Sequence, residues 1–231
     1  MTEREWLACA DPVLLLAHLN RPREDRKLLL YAVACCRLLW DVLEHLDSRI
    51  AVDWAEDFAD GLEAKHDRYA VVEYRSEGAA FALERIAQTE GIADWADESE
   101  PLSNLRGRVD NSNPLRVCAA YLANALLTLG TTDPYDPSLR AYSQCLAVAP
   151  LRCVFGNPFR PVAFDPTWRT ETAVTLARQM YDSREFGAMP ILADALQDAG
   201  CNSEEVLAHC RDTSASHVRG CWVVDLVLGR A

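Results

Sequence analysis

Apolar side chains recur at three- and four-residue steps between residues 23 and 46, at Leu29, Val33, Cys36, Leu39, Trp40, Leu43 and Leu46. That period draws one apolar stripe along a helix and predicts the strongest helix of the chain. Shorter helices are marked by their starts. Thr2 and Glu5 have capping-box spacing ahead of Trp6. Asp11 followed by Pro12 supplies an N-cap and a first-turn proline for a helix to Leu19, which Asn20 and Pro22 break. Asp47 and Ser48 read as the cap of the next helix, with Ile50, Val52, Trp54, Phe58 and Leu62 as its apolar positions. Helical spacing continues over 63–90. The stretch 91–113 is poor in apolar residues and reads as a long polar connection, the best internal boundary.

Pro114 then opens an alanine-rich helix to Leu129, closed by Gly130. Pro137 opens another through Val148, and Pro150 either kinks it or begins a turn. Gly156 to Pro161 (Gly-Asn-Pro-Phe-Arg-Pro) predicts a rigid turn. Helices follow at about 170–182, 189–199, 203–210 and 217–228. The run from Trp222 to Leu228 has the composition of a strand. Trp222, Val223, Leu226 and Val227 share one helical face, however, and favour a helix. No alternating β pattern appears elsewhere. The expected fold is all-α: a compact multi-helix domain of two packed helical halves, 1–90 and 114–231, joined by 91–113.

Composition sharpens this picture. Half of the 231 residues are hydrophobic, which argues against extended disorder. No apolar run approaches the roughly 20 residues that span a bilayer. The first ten residues lack the basic and apolar regions of a secretory signal, so a cytoplasmic protein is expected. Nine cysteines in such a setting are expected as reduced thiols, most of them small buried hydrophobes. The net charge of −12 belongs entirely to 41–100, which holds 17 Asp/Glu against 5 Lys/Arg. An acidic block repels phosphate backbones, so nucleic acid is disfavoured as a partner and a basic protein is favoured.

Candidate chemistry concentrates near the C-terminus. Three of the nine cysteines and two of the five histidines lie between 201 and 221. His217 and Cys221 are four residues apart and would share a helix face, as zinc ligand pairs often do. Cys210 or His209 lies a loop away, and Cys201, or Cys35 or Cys36 of the long helix, could supply a fourth ligand. Cys36, Cys210, His217 and Cys221 are therefore the candidate metal ligands, with zinc as the only cofactor in view. His209 and its neighbour Cys210 would point about 100° apart, so both on one ion is disfavoured. Cys221 with His217 is also readable as a nucleophile and base. No phosphate-binding, dinucleotide-binding, zincin or serine-elbow template is present, so no catalytic residue is assigned. Asp53, Glu56, Asp57 and Asp60 line one side of their helix, a solvated face and a candidate docking surface for a basic partner. Pro158 and Pro161 would hold Arg160 in a set direction with Phe159 as anchor, a second candidate binding group. Trp95, in the polar stretch, is the tryptophan expected to be exposed.

Several of these segments together resemble an uncharacterised bacterial protein family expanded in planctomycetes. The resemblance rests on Ala34-Cys-Cys-Arg37, on Phe155-Gly-Asn-Pro-Phe-Arg-Pro161, on His209-Cys-Arg211 and on His217-Val-Arg-Gly-Cys-Trp-Val-Val-Asp225. It implies no activity, cofactor or catalytic residue. Where relatives tend to carry Gly and Pro, this chain has Asp212-Thr-Ser-Ala-Ser216, in the loop that sets the distance from Cys210 to His217. The expected function is a non-enzymatic interaction module, adaptor-like or immunity-like. The alternatives are a zinc-stabilised helical domain, and a cysteine-dependent enzyme using Cys221 and His217.

Overall fold

The structure, a computed structural model, describes residues 1–19, 25–38, 40, 46–62 and 137–230. Among them lie nine α-helices, two short 3-10 turns and no strand, so the chain is all-α as far as it is described. The expected helices over 63–90 and from Pro114 to Leu129, the polar connection 91–113 and Trp95 fall outside the described residues. The chain divides into two units, Met1–Ala149 and Pro150–Ala231.

The first unit begins with α1 (Glu3–Ala8) and α2 (Pro12–His18). Thr2 accepts from the Glu5 amide while the Glu5 carboxylate accepts from the Thr2 amide, which completes the capping box. Asp11 accepts from the amides of Val13 and Leu14 and starts α2. The strong apolar period produces α3 (Asp25–Leu38), and α4 is Leu46–Ala59. Asp47 and Ser48 thus lie within the first turn of α4, not at the residue before it. Every residue from Leu28 to Cys36 is at most 5 % exposed. A helix covered on all sides needs more than one stripe, and Leu30, Tyr31 and Ala32 supply the other faces. The buried Tyr31 hydroxyl donates to the Ala147 carbonyl at 3.0 Å, so it keeps a polar partner out of water.

The carboxylates of α4 correct the expected solvated face. Glu56 is 1 % exposed and accepts from Arg37 at 2.8 Å. Asp53 accepts from the same guanidinium, and Asp60 accepts from Arg26 at 3.1 Å. Arg37 also lies over the Trp40 ring at 4.4 Å. The spacing that lines up Asp53 and Glu56 on α4, with Asp60 just past its end, aims them at the arginines of α3. Glu56 is consequently unavailable to a docking partner, whereas Asp53 and Asp57 remain partly exposed.

Helix α5 (Pro137–Phe155) carries Pro150 within it, and the division between the units falls there. A proline at this place leaves the Leu146 carbonyl without its helical donor. Helix α6 is Glu171–Ser183, α7 is Met189–Asp198, α8 is Glu204–Arg211 and α9 is Trp222–Leu228. Thr170 caps α6 and Ser203 caps α8 through their side-chain oxygens. The second unit's core is a set of small apolar stripes: Ala173, Ala177, Met180 and Tyr181 from α6, Leu192, Ala193 and Leu196 from α7, Val223, Val224 and Val227 from α9. The last segment is a helix, not a strand. It begins at Trp222, so His217 lies ahead of it in the loop.

Candidate metal centre

Four side chains from four places in the second unit converge. Cys153 comes from the last turn of α5, His209 from α8, His217 from the loop after α8, and Cys221 from the N-cap of α9. Their potential ligand atoms all lie within 4.8 Å of one another. His209 Nε2 is 3.2 Å from Cys221 Sγ, and Cys153 Sγ is 3.9 Å from His217 Nδ1. A tetrahedral ion with Zn–S about 2.3 Å and Zn–N about 2.0 Å has edges of roughly 3.4–3.8 Å. The 3.2 Å and 3.9 Å separations bracket that range, and the four residues could hold a metal ion if their wider separations, up to 4.8 Å, close on it.

Local structure explains each position. Gly156 stops α5 with φ of 67°, and its amide donates to Arg152 O at 2.9 Å, the left-handed helix end that glycine allows. This fixes Cys153 one turn from the helix end. The Asp212 carboxylate accepts from the amide and hydroxyl of Ser214 and shapes the loop after α8. This Asx-type turn sets the course of the loop. The Cys221 amide donates to Val218 O at 2.9 Å across Gly220, whose φ is 89°. That is the glycine-dependent pattern of a type II turn. His217 and Cys221 are therefore the two ends of a turn region and not successive positions on a helix face.

The thiols are electrically unlike. Burial opposes ionisation of Cys221, yet the Cys153 hydrogen bond and the charge and hydrogen bond of His209 outweigh it and hold the thiol well below the ordinary range. Cys153 is pushed well above that range, first by burial and then by Cys221, while the Val218 amide pulls the other way. The histidines are half-buried and supported by rings. His209 meets His217 edge-on at 4.8 Å and leans on Trp222 at 5.2 Å. His217 faces Phe186 at 6.4 Å. Gly156 lies directly against Trp222, where an added Cβ would stand 3.3 Å from Cγ.

Of the four residues read from the sequence as ligands, His217 and Cys221 belong to this group. Cys210 does not: it is fully buried in the apolar core of the unit, and burial pushes its thiol far up. Its neighbour His209 is the one that reaches the cluster, because adjacent helical side chains diverge. Cys36 belongs to α3 of the first unit, where burial raises its thiol to about 12. The fourth corner is Cys153, which the sequence reads as one of the buried, hydrophobe-like cysteines. Its position next to the Gly156–Pro161 turn is the only sequence signal that sets it apart. Arg160 is more than half exposed and pairs with Glu205 at 3.7 Å. Phe159 is 36 % exposed. The Asn157 carboxamide holds the turn by accepting from the Phe159 amide at 3.0 Å.

No family model, curated protein or solved structure matches this chain. No helix among the described residues is long and apolar enough to cross a membrane.

Proposed function

We propose that the Pro150–Ala231 unit is a zinc-stabilised helical module that works by binding and not by catalysis. The observation that carries this reading is the convergence of Cys153, His209, His217 and Cys221 within 4.8 Å. Two thiolates and two imidazoles suit zinc, and the absence of a carboxylate from the set disfavours magnesium or calcium. Four protein corners close the coordination shell and leave no open position for a reacting water, the arrangement of a structural site. At 82 residues the unit lies near the size at which a single core leaves little net stability and a staple helps.

The cysteine-enzyme alternative meets an obstacle in burial. Cys221 has a base in reach in His209, but the residue is 0 % exposed, so a substrate has no approach to Sγ. Interaction with a protein partner remains the role proposed for the whole chain. The test of the metal reading is elemental analysis of the tag-free full-length chain, paired with alkylation under native conditions. About one zinc per chain is expected, with Cys153 and Cys221 protected until a chelator is added. Failure to retain zinc even after reconstitution with zinc sulfate refutes it.

A further inference from the structure

The two cysteine corners of the cluster are also partners for each other. Cys153 and Cys221 are hydrogen-bonded through their side chains, and their Sγ atoms lie within 4.8 Å. A disulfide is about 2.0 Å long, so the pair has less than about 3 Å to close. Cys153 sits in the last turn of α5 and Cys221 just ahead of α9. Closing the bond therefore draws two helix ends together and leaves the helix interiors alone. Cys210 is the competing thiol on α8, but it is held in the apolar core and lies outside the cluster.

Zinc and a disulfide are exclusive occupants of this pair. Zinc takes cysteine as thiolate, and a disulfide sulfur has no such charge to offer. Oxidation leaves only His209 and His217, half of a tetrahedral set. His217 Nε2 is buried with no hydrogen-bond partner among the described residues. Once the metal is gone, exposure to water is the way to satisfy that nitrogen. A zinc ion ties α5, α8, the following loop and α9 together; a disulfide ties α5 to α9 alone. Given the zinc site proposed above, we infer that Cys153 and Cys221 form a redox pair that exchanges the metal for a disulfide on meeting a peroxide, untying α8.

The step balances. One thiolate attacks a peroxide oxygen, the O–O bond breaks, and a sulfenic acid and hydroxide result. The second thiolate attacks that sulfur, the S–S bond forms, and a second hydroxide leaves. Two protons convert the hydroxides to water, the sulfurs lose two electrons, and Zn²⁺ departs. Burial keeps larger reagents from Sγ. Peroxide, close to water in size, enters beside the half-buried histidines when the unit opens locally.

The test is a hydrogen peroxide titration of the zinc-loaded full-length chain. A chromogenic chelator counts free zinc, and non-reducing peptide mass spectrometry locates cross-links. About one zinc should leave for each Cys153–Cys221 disulfide formed, and a thiol reductant with zinc sulfate should restore about one per chain. Amides of α8 should exchange faster in the oxidised form. Cys210→Ala should release zinc with the same stoichiometry. Three results overturn the inference and leave the zinc site standing: zinc that stays bound while free cysteine in the same tube is consumed, release without the Cys153–Cys221 cross-link or only when Cys210 is present, and unchanged exchange in α8. A chain that takes up no zinc before peroxide is added refutes the zinc reading itself, and the exchange falls with it.

Discussion

Gly156 links the turn motif to the metal cluster, and replacing it with alanine tests that link quantitatively. Two separate costs add. At φ of 67° an L-residue is in the left-handed region, which costs about 1–2 kcal/mol. The new Cβ would also sit 3.3 Å from Trp222 Cγ, and crowding a packed ring costs about 1–3 kcal/mol. The expected destabilisation of the second unit is therefore about 2–5 kcal/mol. Buried Cys210 lies outside the ligand set and reports on opening of this unit. If opening is fast relative to labelling, Gly156→Ala should speed its alkylation by roughly 30-fold to a few thousand-fold. Two glycines serve as internal comparisons. Gly200 has φ of 90° with nothing near its added Cβ, so Gly200→Ala should show only the dihedral cost of about 1–2 kcal/mol. Gly187 has open space and no positive φ, so Gly187→Ala should be neutral or stabilising by up to about 1 kcal/mol. A Gly156→Ala variant that labels no faster than Gly200→Ala would refute the claim that Trp222 is pressed against this turn.

Three further outcomes are expected. Cys153→Ala and Cys221→Ala should each abolish zinc retention, whereas Cys210→Ala should keep about one zinc per chain in elemental analysis; equal loss in all three would deny the ligand assignment. Glu56→Gln removes the charge that Arg37 pairs with beneath the surface of the first unit, and should cost about 1–3 kcal/mol in urea unfolding, less than for a fully buried pair because Arg37 is partly solvated. The Glu5 carboxyl is lowered by the backbone and side-chain hydrogen bonds of Thr2. Its contribution is complete above the unfolded pKa of about 4.3 and is lost as pH falls through the lower folded value. Thr2→Ala keeps the residue-2 amide and removes only the hydroxyl, so it should raise the Glu5 pKa in part in a carbon-detected titration, and an unmoved pKa would show that the Thr2 side chain contributes nothing to it.

The sequence by itself determined the helical class and much of the local geometry. Capping at Thr2, Asp11 and Ser203 is short-range chemistry in which the donor and acceptor lie within three residues, so spacing alone reveals it. The concentration of His217 and Cys221 near the C-terminus is likewise read from the sequence alone. What tertiary structure decided was direction. The carboxylates of α4 share one side in any helix, but only packing against α3 turned Glu56 toward Arg37 and away from solvent. His209 and Cys210 are neighbours in sequence, and only the burial of one face of α8 chose the histidine for the cluster and the cysteine for the core. Cys153 lies 56 residues before His209, and a contact at that separation has no local signature. It exists because α5, α8 and the loop before α9 bury their apolar surface together, and that burial is set by the whole unit rather than by any segment of it.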